Sequence, residues 1–225
     1  MHPSQILYED NHLLIVNKPA DWIVQGASTD QRSLLESSKI YIKSKYHKPG
    51  NVYLGVVSRL DAPVTGAVPF ARTSKAAARL SQQFRDRTPT KLYWAITEGI
   101  PNPIEGRLEH WLVRNDNDHV TRVTQQESTP AHRSIMEYRV LRGHHGQAWL
   151  EIRLITGRKH QIRCQLSAID CPILGDALYG AVDPFAQGIA LHCRQLMIQH
   201  PTLNSTVSVV ADLPIYWPSW ARPEA

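Results

Sequence analysis

The chain of 225 residues has only three cysteines, no apolar run approaching a membrane span, no internal repeat and no low-complexity tract. Cys164, Cys171 and Cys193 cannot all pair, and their spacing fits no zinc pattern. Reduced, buried thiols in a cytosolic protein are the simplest account. The eleven histidines contain no His-x-His or His-x-x-x-His pair, which argues against a metal hydrolase. The start, Met1-His2-Pro3-Ser4-Gln5, lacks the basic-then-apolar pattern of a secretory leader. Nor is either charge in large excess. The 25 Lys and Arg stand against 20 Asp and Glu, a net +5 that is compatible with a polyanionic partner without requiring one. With no clear linker, residues 1–225 read as one soluble domain able to bury a sizeable core.

What is present centres on V-V-S-R-L-D-A-P-V-T-G-A-V-P-F-A-R-T, residues 56–73. Two apolar runs of β type, Val56-Val57 and Ala67 to Phe70, flank a polar break that holds Asp61. Pro63 biases Ala62 toward extended backbone and Gly66 permits a sharp turn, so the segment reads as strand, bend, strand. A carboxylate there, beside Arg59 and in apolar company, suits a site acid or nucleophile. Asp is also a common turn residue, and Arg59 could be its surface partner. Taken alone, the segment favours this ordinary reading.

Along the chain, residues 6–17 predict a hairpin turning at Glu9 to His12, and Ser33 to Lys45 a helix. Val52 to Leu60 reads as the strand that delivers Asp61. Ser74 is the expected N-cap of a helix through Arg87, with Ala77, Leu80 and Phe84 on its apolar face. Leu92, Trp94 and Ile96 alternate with Tyr93, Ala95 and Thr97, the period of a strand, which turns Tyr93 away from Leu92 and Trp94. Residues 99–131, rich in Gly, Pro, Asn, Asp and Thr, read as a long irregular excursion. Arg133–Leu141 and Ala148–Ile155 predict a second hairpin. A helix opened by Thr156-Gly157 carries Ile162, Leu166 and Ile169 on one side. Arg158, Lys159 and Arg163 crowd its first turns against the helix dipole, which calls for a buried carboxylate or a phosphate nearby. Leu191–Ile198 and Thr206–Val210 read as strands before a Pro- and Trp-rich arm. Interspersed strands and helices of this kind predict an α+β fold: a central mixed, mostly antiparallel sheet, flanking helices and a cleft.

Several motifs, in order, resemble one family. S-R-L-D-A-P-V-T-G at 58–66, K-L-Y at 91–93, T-G-R-K-H-Q-I-R-C-Q-L at 156–166 and C-P-I-L-G-D-A-L-Y-G at 171–180 are similar to those of the RluA-type pseudouridine synthases of RNA. I-L-Y-E-D-N-H-L-L-I-V-N-K-P at 6–19 and L-H-C-R-Q-L-M-I-Q-H-P at 191–201 resemble the same catalytic domain. The resemblance covers nearly the whole chain. It implies a pseudouridine-synthase-like fold, an RNA partner such as an rRNA or tRNA stem-loop, and no metal or organic cofactor. Further expectations are a cytoplasmic location, a monomer and no membrane association. With the first core-like strand at about Ile6, no separate RNA-binding module is expected ahead of the domain.

By the same resemblance, Asp61 is the carboxylate that attacks or deprotonates the ribose or base of a flipped-out uridine. Arg163 is its charge partner and Tyr93 stacks on the base. Arg59 takes the place vacated by the extracted uridine. Lys18, Arg158 and Lys159 are weaker candidates for RNA backbone contact, and His160 and Gln161 read as scaffold. This chain departs from the pattern at Ser58 (usually His), Ala62-Pro63 (usually polar), Val64-Thr65 (usually Thr-Ser) and Asp21 (commonly Gly), which leaves target choice open. Two other classes remain: a silent RNA-binding protein of the same fold, and an Asp-dependent glycoside hydrolase. The second needs a further carboxylate at defined separation, and the motifs supply none.

Overall fold

A computed structural model describes residues 5–26, 33–115, 120–124 and 130–223. The start of the chain, read above for a leader, and parts of 25–50 and 99–131 lie outside these residues. In chain order the elements are β1 (Ile6–Glu9), β2 (Leu13–Lys18), α1 (Leu34–Lys45), β3 (Gly55–Val56), β4 (Thr65–Ala71), α2 (Ser74–Asp86), β5 (Thr90–Glu98) and β6 (Glu105–Arg114). They continue with β7 (Thr121–Thr124), β8 (His132–His144), β9 (Gln147–Leu154), α3 (Gln161–Ser167), β10 (Leu191–Gln199) and β11 (Thr206–Val210). Contacts divide the chain into two units. The first holds Met1–Lys91 and Cys193–Pro214, the second Leu92–His192 and Ile215–Ala225.

In the first unit, β1 pairs with β2, β2 with β4, and β10 with β11, all antiparallel, and β4 also neighbours β10. All seven residues of β4 are buried. Pro69 lies opposite Ile15 in this doubly flanked strand rather than on an edge, so β4 gives up a ladder donor inside its buried run. Gly66 does not make the bend. It sits in β4 at φ +113°, where an added Cβ would collide with the Cys193 backbone, and only glycine fits. The bend is Asp61–Val64, closed by the Val64 N–H donating to the Asp61 carbonyl at 3.1 Å. The strand expected over Val52–Leu60 is real only at Gly55–Val56, because β3 pairs with β4 at Ala71 and Phe70 alone. The chain then leaves the ladder and carries residues 57–63 free of strand pairing.

Helix α1 is capped by Ser33, whose hydroxyl accepts from the Glu36 N–H, and its last turn holds Lys43 and Lys45, which suit the dipole. Helix α2 is capped by Thr73 rather than Ser74, and ends at Arg87 in the left-handed conformation. Its buried residues are Ala76 and Leu80. Leu14, Val16, Leu34, Ile42, Val68 and Phe70 form the core of this unit, and Trp22, Val56 and Leu60 pack against it. Leu60 is thus the apolar anchor immediately before Asp61.

The second unit orders its strands β5-β9-β8-β6-β7, each neighbouring pair antiparallel. β8 and β9 turn through His145 and Gly146, both at positive φ, the two-residue geometry that matches strand twist. Residues 99–131 are therefore not an irregular excursion throughout, since they supply β6 and β7. Trp94 and Trp149 meet edge-to-face at 5.0 Å on one face of β5 and β9. Helix α3 starts at Gln161, later than its motif begins, and all of Gln161 to Leu166 are buried. Among the described residues no helix is long and apolar enough to cross a membrane.

Candidate active site

In the first unit the site is built around the loop between β3 and β4. Asp61 is half-buried, and Arg59, two residues earlier, is exposed. Behind the loop stands Lys18, the last residue of β2, which is fully buried. Its ammonium donates to three backbone carbonyls: Pro19 at 2.9 Å, Trp22 at 2.7 Å and Ala62 at 2.7 Å. Lys18 was expected on the RNA surface, and its burial removes it from that role. Three acceptors match the three donors of an ammonium, so this lysine holds backbone.

The Ala62 carbonyl accepts a second bond, from the Asp21 N–H at 2.9 Å. Asp21 reaches it from a left-handed conformation at φ 62°. Two departures from the family pattern therefore meet in one contact: Asp21 on the turn after β2 and Ala62 beside Asp61. Burial draws the Lys18 pKa down to about 7, and the carboxylates of Asp21 and Asp61 act in the opposite direction.

In the second unit, α3 and the segments around it place the remaining candidates. Tyr93 lies in β5 opposite Ile152 of β9, with 5% of its surface exposed. Arg158 and Lys159 are exposed on the turn before α3. Gln161 shapes that turn: its side-chain oxygen accepts from the Thr156 hydroxyl and the Arg158 N–H, and its amide donates to the Ile135 carbonyl. His160, at φ 55°, puts Nδ1 2.9 Å from the Tyr179 hydroxyl.

Arg163 is buried. Its Nε and Nη2 donate to the two carboxylate oxygens of Asp176 at 2.6 and 2.7 Å. The Tyr179 ring lies 4.8 Å from the guanidinium carbon. The positive charge at the start of α3 thus has a buried carboxylate within its own unit. Asp176 and Tyr179 belong to the G-D-A-L-Y-G motif, to which the sequence reading gave no role. The demand for a carboxylate near α3 was the signal that could have found Asp176, the single acid in that motif. Lys18 with Asp61, and the 158–163 segment with Asp176 and Tyr179, are the groupings seen inside the two units. Among the described residues no cluster of three or more His, Cys, Asp or Glu is placed to hold a metal ion.

The first unit thus offers a half-buried carboxylate on a braced turn, and the second an exposed basic turn before a buried arginine–carboxylate pair. The chain belongs to the RNA pseudouridylate synthase family, whose model matches residues 12–168. It is similar to an uncharacterized RNA pseudouridine synthase of Synechocystis, at 32% identity over 219 residues, covering 96% of this chain and 67% of that one. Ribosomal large subunit pseudouridine synthase D of Zymomonas mobilis is 31% identical over 223 residues, covering 94% and 70%. Among solved structures, human RNA pseudouridylate synthase domain containing 4 superposes with a TM-score of 0.79 at 29% identity, covering 94% of this chain and 89% of that one. The protein is an RNA-modifying isomerase.

Proposed function

We propose that the protein converts uridine to pseudouridine at specific positions of an rRNA or tRNA stem-loop, with Asp61 as the reacting carboxylate. The observation that carries this is the brace on the Asp61 turn. Lys18 and the Asp21 amide both hold the Ala62 carbonyl, next to a carboxylate that needs a fixed aim. In the reaction the bond between ribose C1′ and uracil N1 breaks, the detached base turns, and C5 bonds to C1′. The C5 proton is then lost and N1 gains one, so the atoms balance without a co-reactant. Asp61 either attacks to form a covalent adduct or removes the ribose 2′ proton to give a glycal. The family pattern gives Tyr93 the role of stacking the base and assisting at C5, and Arg163 that of charge partner to the acid. Extracting a base costs a few kcal/mol, least in a loop, which favours a stem-loop target. Arg59, exposed two residues before Asp61, is suited to fill the vacated stack with its planar guanidinium.

The departures around Asp61 are what favours the second reading, a silent binder of the same fold. Two of them are built into the brace, however, which supports an active enzyme. We further propose that residues 1–225 act together as one catalytic domain, as a monomer. The three free, buried cysteines suit a reducing compartment, in keeping with a cytoplasmic enzyme. The test is to offer unmodified total RNA to the purified protein and map pseudouridines. Sites formed with wild type and absent without it support the reading, and RNA binding without isomerisation in any pool would sink it.

RNA contact is assigned to Arg59, Arg158 and Lys159. Affinity should fall by roughly 0.7 log unit per tenfold rise in salt for each single-strand phosphate neutralised, hence about 2 log units for three. Lys159→Gln should weaken binding and reduce that slope by about 0.7 without changing which uridine is chosen. Filter binding from low to moderate salt measures both, and a flat profile would remove these residues from the RNA surface.

A further inference from the structure

Ser58 stands three residues before Asp61, where the family usually has histidine, and its hydroxyl accepts a hydrogen bond from the ammonium of Lys91. Lys91 extends from β5, and its Nζ lies 4.9 Å from the centre of the Phe84 ring of α2, a cation–π contact. Within the first unit, the Lys91 side chain therefore ties the 57–63 loop to helix α2. Burial lowers the Lys91 pKa, and Cys193 acts in the opposite direction. A lysine placed there needs an acceptor, and Ser58 is one. On the far side of Asp61, Lys18 holds the Ala62 carbonyl. The loop is bracketed at both ends by lysines.

We propose that Ser58 and Lys91 are positioning residues for the reaction, their bond fixing the segment that leads into Asp61 as Lys18 fixes the segment that leaves it. This rests on Asp61 being the reacting carboxylate and gives a role to a position at which the chain departs from its family. The physical reason is the missing ladder. With no strand pairing over 57–63, Leu60 in the core and the anchors at 58 and 62 fix the backbone that carries the Asp61 side chain. A misplacement of about 1 Å in a reacting group is enough to slow chemistry by roughly a hundredfold.

The experiment measures single-turnover pseudouridine formation and RNA half-saturation on unmodified total RNA. It compares wild type, Ser58→Ala, Ser58→Thr and the double variant Ser58→Ala with Lys91→Met, each checked for folding by circular dichroism. Ser58→Ala should lower the single-turnover rate by about 10- to 100-fold and leave half-saturation unchanged. Ser58→Thr, which keeps the hydroxyl, should recover most of the rate. Adding Lys91→Met to Ser58→Ala should bring little further loss, since the bond is already gone. A folded Ser58→Ala that turns over at the wild-type rate overturns the proposal. So does one that loses RNA affinity in place of rate, a threonine variant no better than alanine, or a double variant with two full losses. A wild type that forms no pseudouridine overturns the functional reading itself, and this proposal with it, before any variant is compared.

Discussion

Asp61→Asn should abolish detectable pseudouridine formation while leaving a folded protein that binds RNA. The substitution keeps the size and most of the hydrogen bonding of the side chain but removes its charge and nearly all its capacity to attack or to take a proton. Loss of a reacting or orienting carboxylate in other enzymes costs roughly 10⁴-fold in turnover, so the residual rate should vanish into background. The backbone of the turn does not depend on the carboxylate: the Asp61 carbonyl takes the Val64 N–H, and Ala62 is held by Lys18 and Asp21. One secondary effect is expected. The Asp61 charge supports the protonated state of Lys18, so its removal should push the already lowered Lys18 pKa further down. The measurement is single-turnover formation on unmodified RNA, with RNA binding and circular dichroism run on the same preparation. Undiminished turnover in the asparagine variant would overturn the assignment.

The parts of this molecule that were legible in the sequence are those where local pattern and tertiary demand agree. The period-2 run at 92–97 became part of β5, the helical stretch at 33–45 became α1, and capping chemistry located the start of α2 to within a residue. The segment 105–114 was opaque because β6 alternates exposed charged residues with half-buried ones. Gly, Pro and Asn flank it, and composition alone made it a loop. The β3 strand was overextended because Val52 and Leu60 are apolar for the core rather than for a sheet; both pack against the cluster around Leu14 and Phe70. Gly66 showed as a special backbone position, yet its cause is the Cys193 backbone far along the chain, which no local reading supplies.

The same holds for the site. Asp61, Arg163 and Tyr93 were named through motif resemblance alone, and Arg59, Arg158 and Lys159 are exposed. Lys18 was misjudged because a lysine is solvent-exposed by default and is rarely buried without partners. Nothing in K-P-A-D-W announces that three carbonyls converge on it. Asp176 was passed over because an acid between glycine and alanine looks like a turn residue. Its partner is thirteen positions away, across α3 and the bend that follows. Charge placement that opposes a helix dipole proved the better guide, because it names the missing partner by its chemistry.

Lys18→Met should lower stability, slow the chemistry and change how stability varies with pH. Methionine keeps the unbranched stem and its packing but brings no donor. Ala62 retains the Asp21 N–H, while the Pro19 and Trp22 carbonyls lose the ammonium. Each hydrogen bond lost from the charged ammonium costs about 1.5–3 kcal/mol. Relief from burying a charge offsets part of this, leaving a net loss of about 2–4 kcal/mol near neutral pH. Folded Lys18 has a pKa of about 7, below that of a free lysine, so between these values the unfolded chain holds a proton that the folded one does not. Wild-type stability therefore gains from this group as pH rises through that window, by at most about 1.4 kcal/mol per unit. The methionine variant lacks this contribution, so the stability gap between the two should widen from pH 6 to pH 9. Urea melts at intervals of one pH unit read the gap directly, and single-turnover assays well below the melting transition read the chemistry. With its brace gone, the Asp61 turn should give a rate lowered at least about tenfold while RNA affinity holds. A gap that stays flat from pH 6 to pH 9 would mean that Lys18 keeps its proton when buried, with the three carbonyls outweighing the loss of water. A folded variant with full turnover would mean that the brace does not set the aim of Asp61.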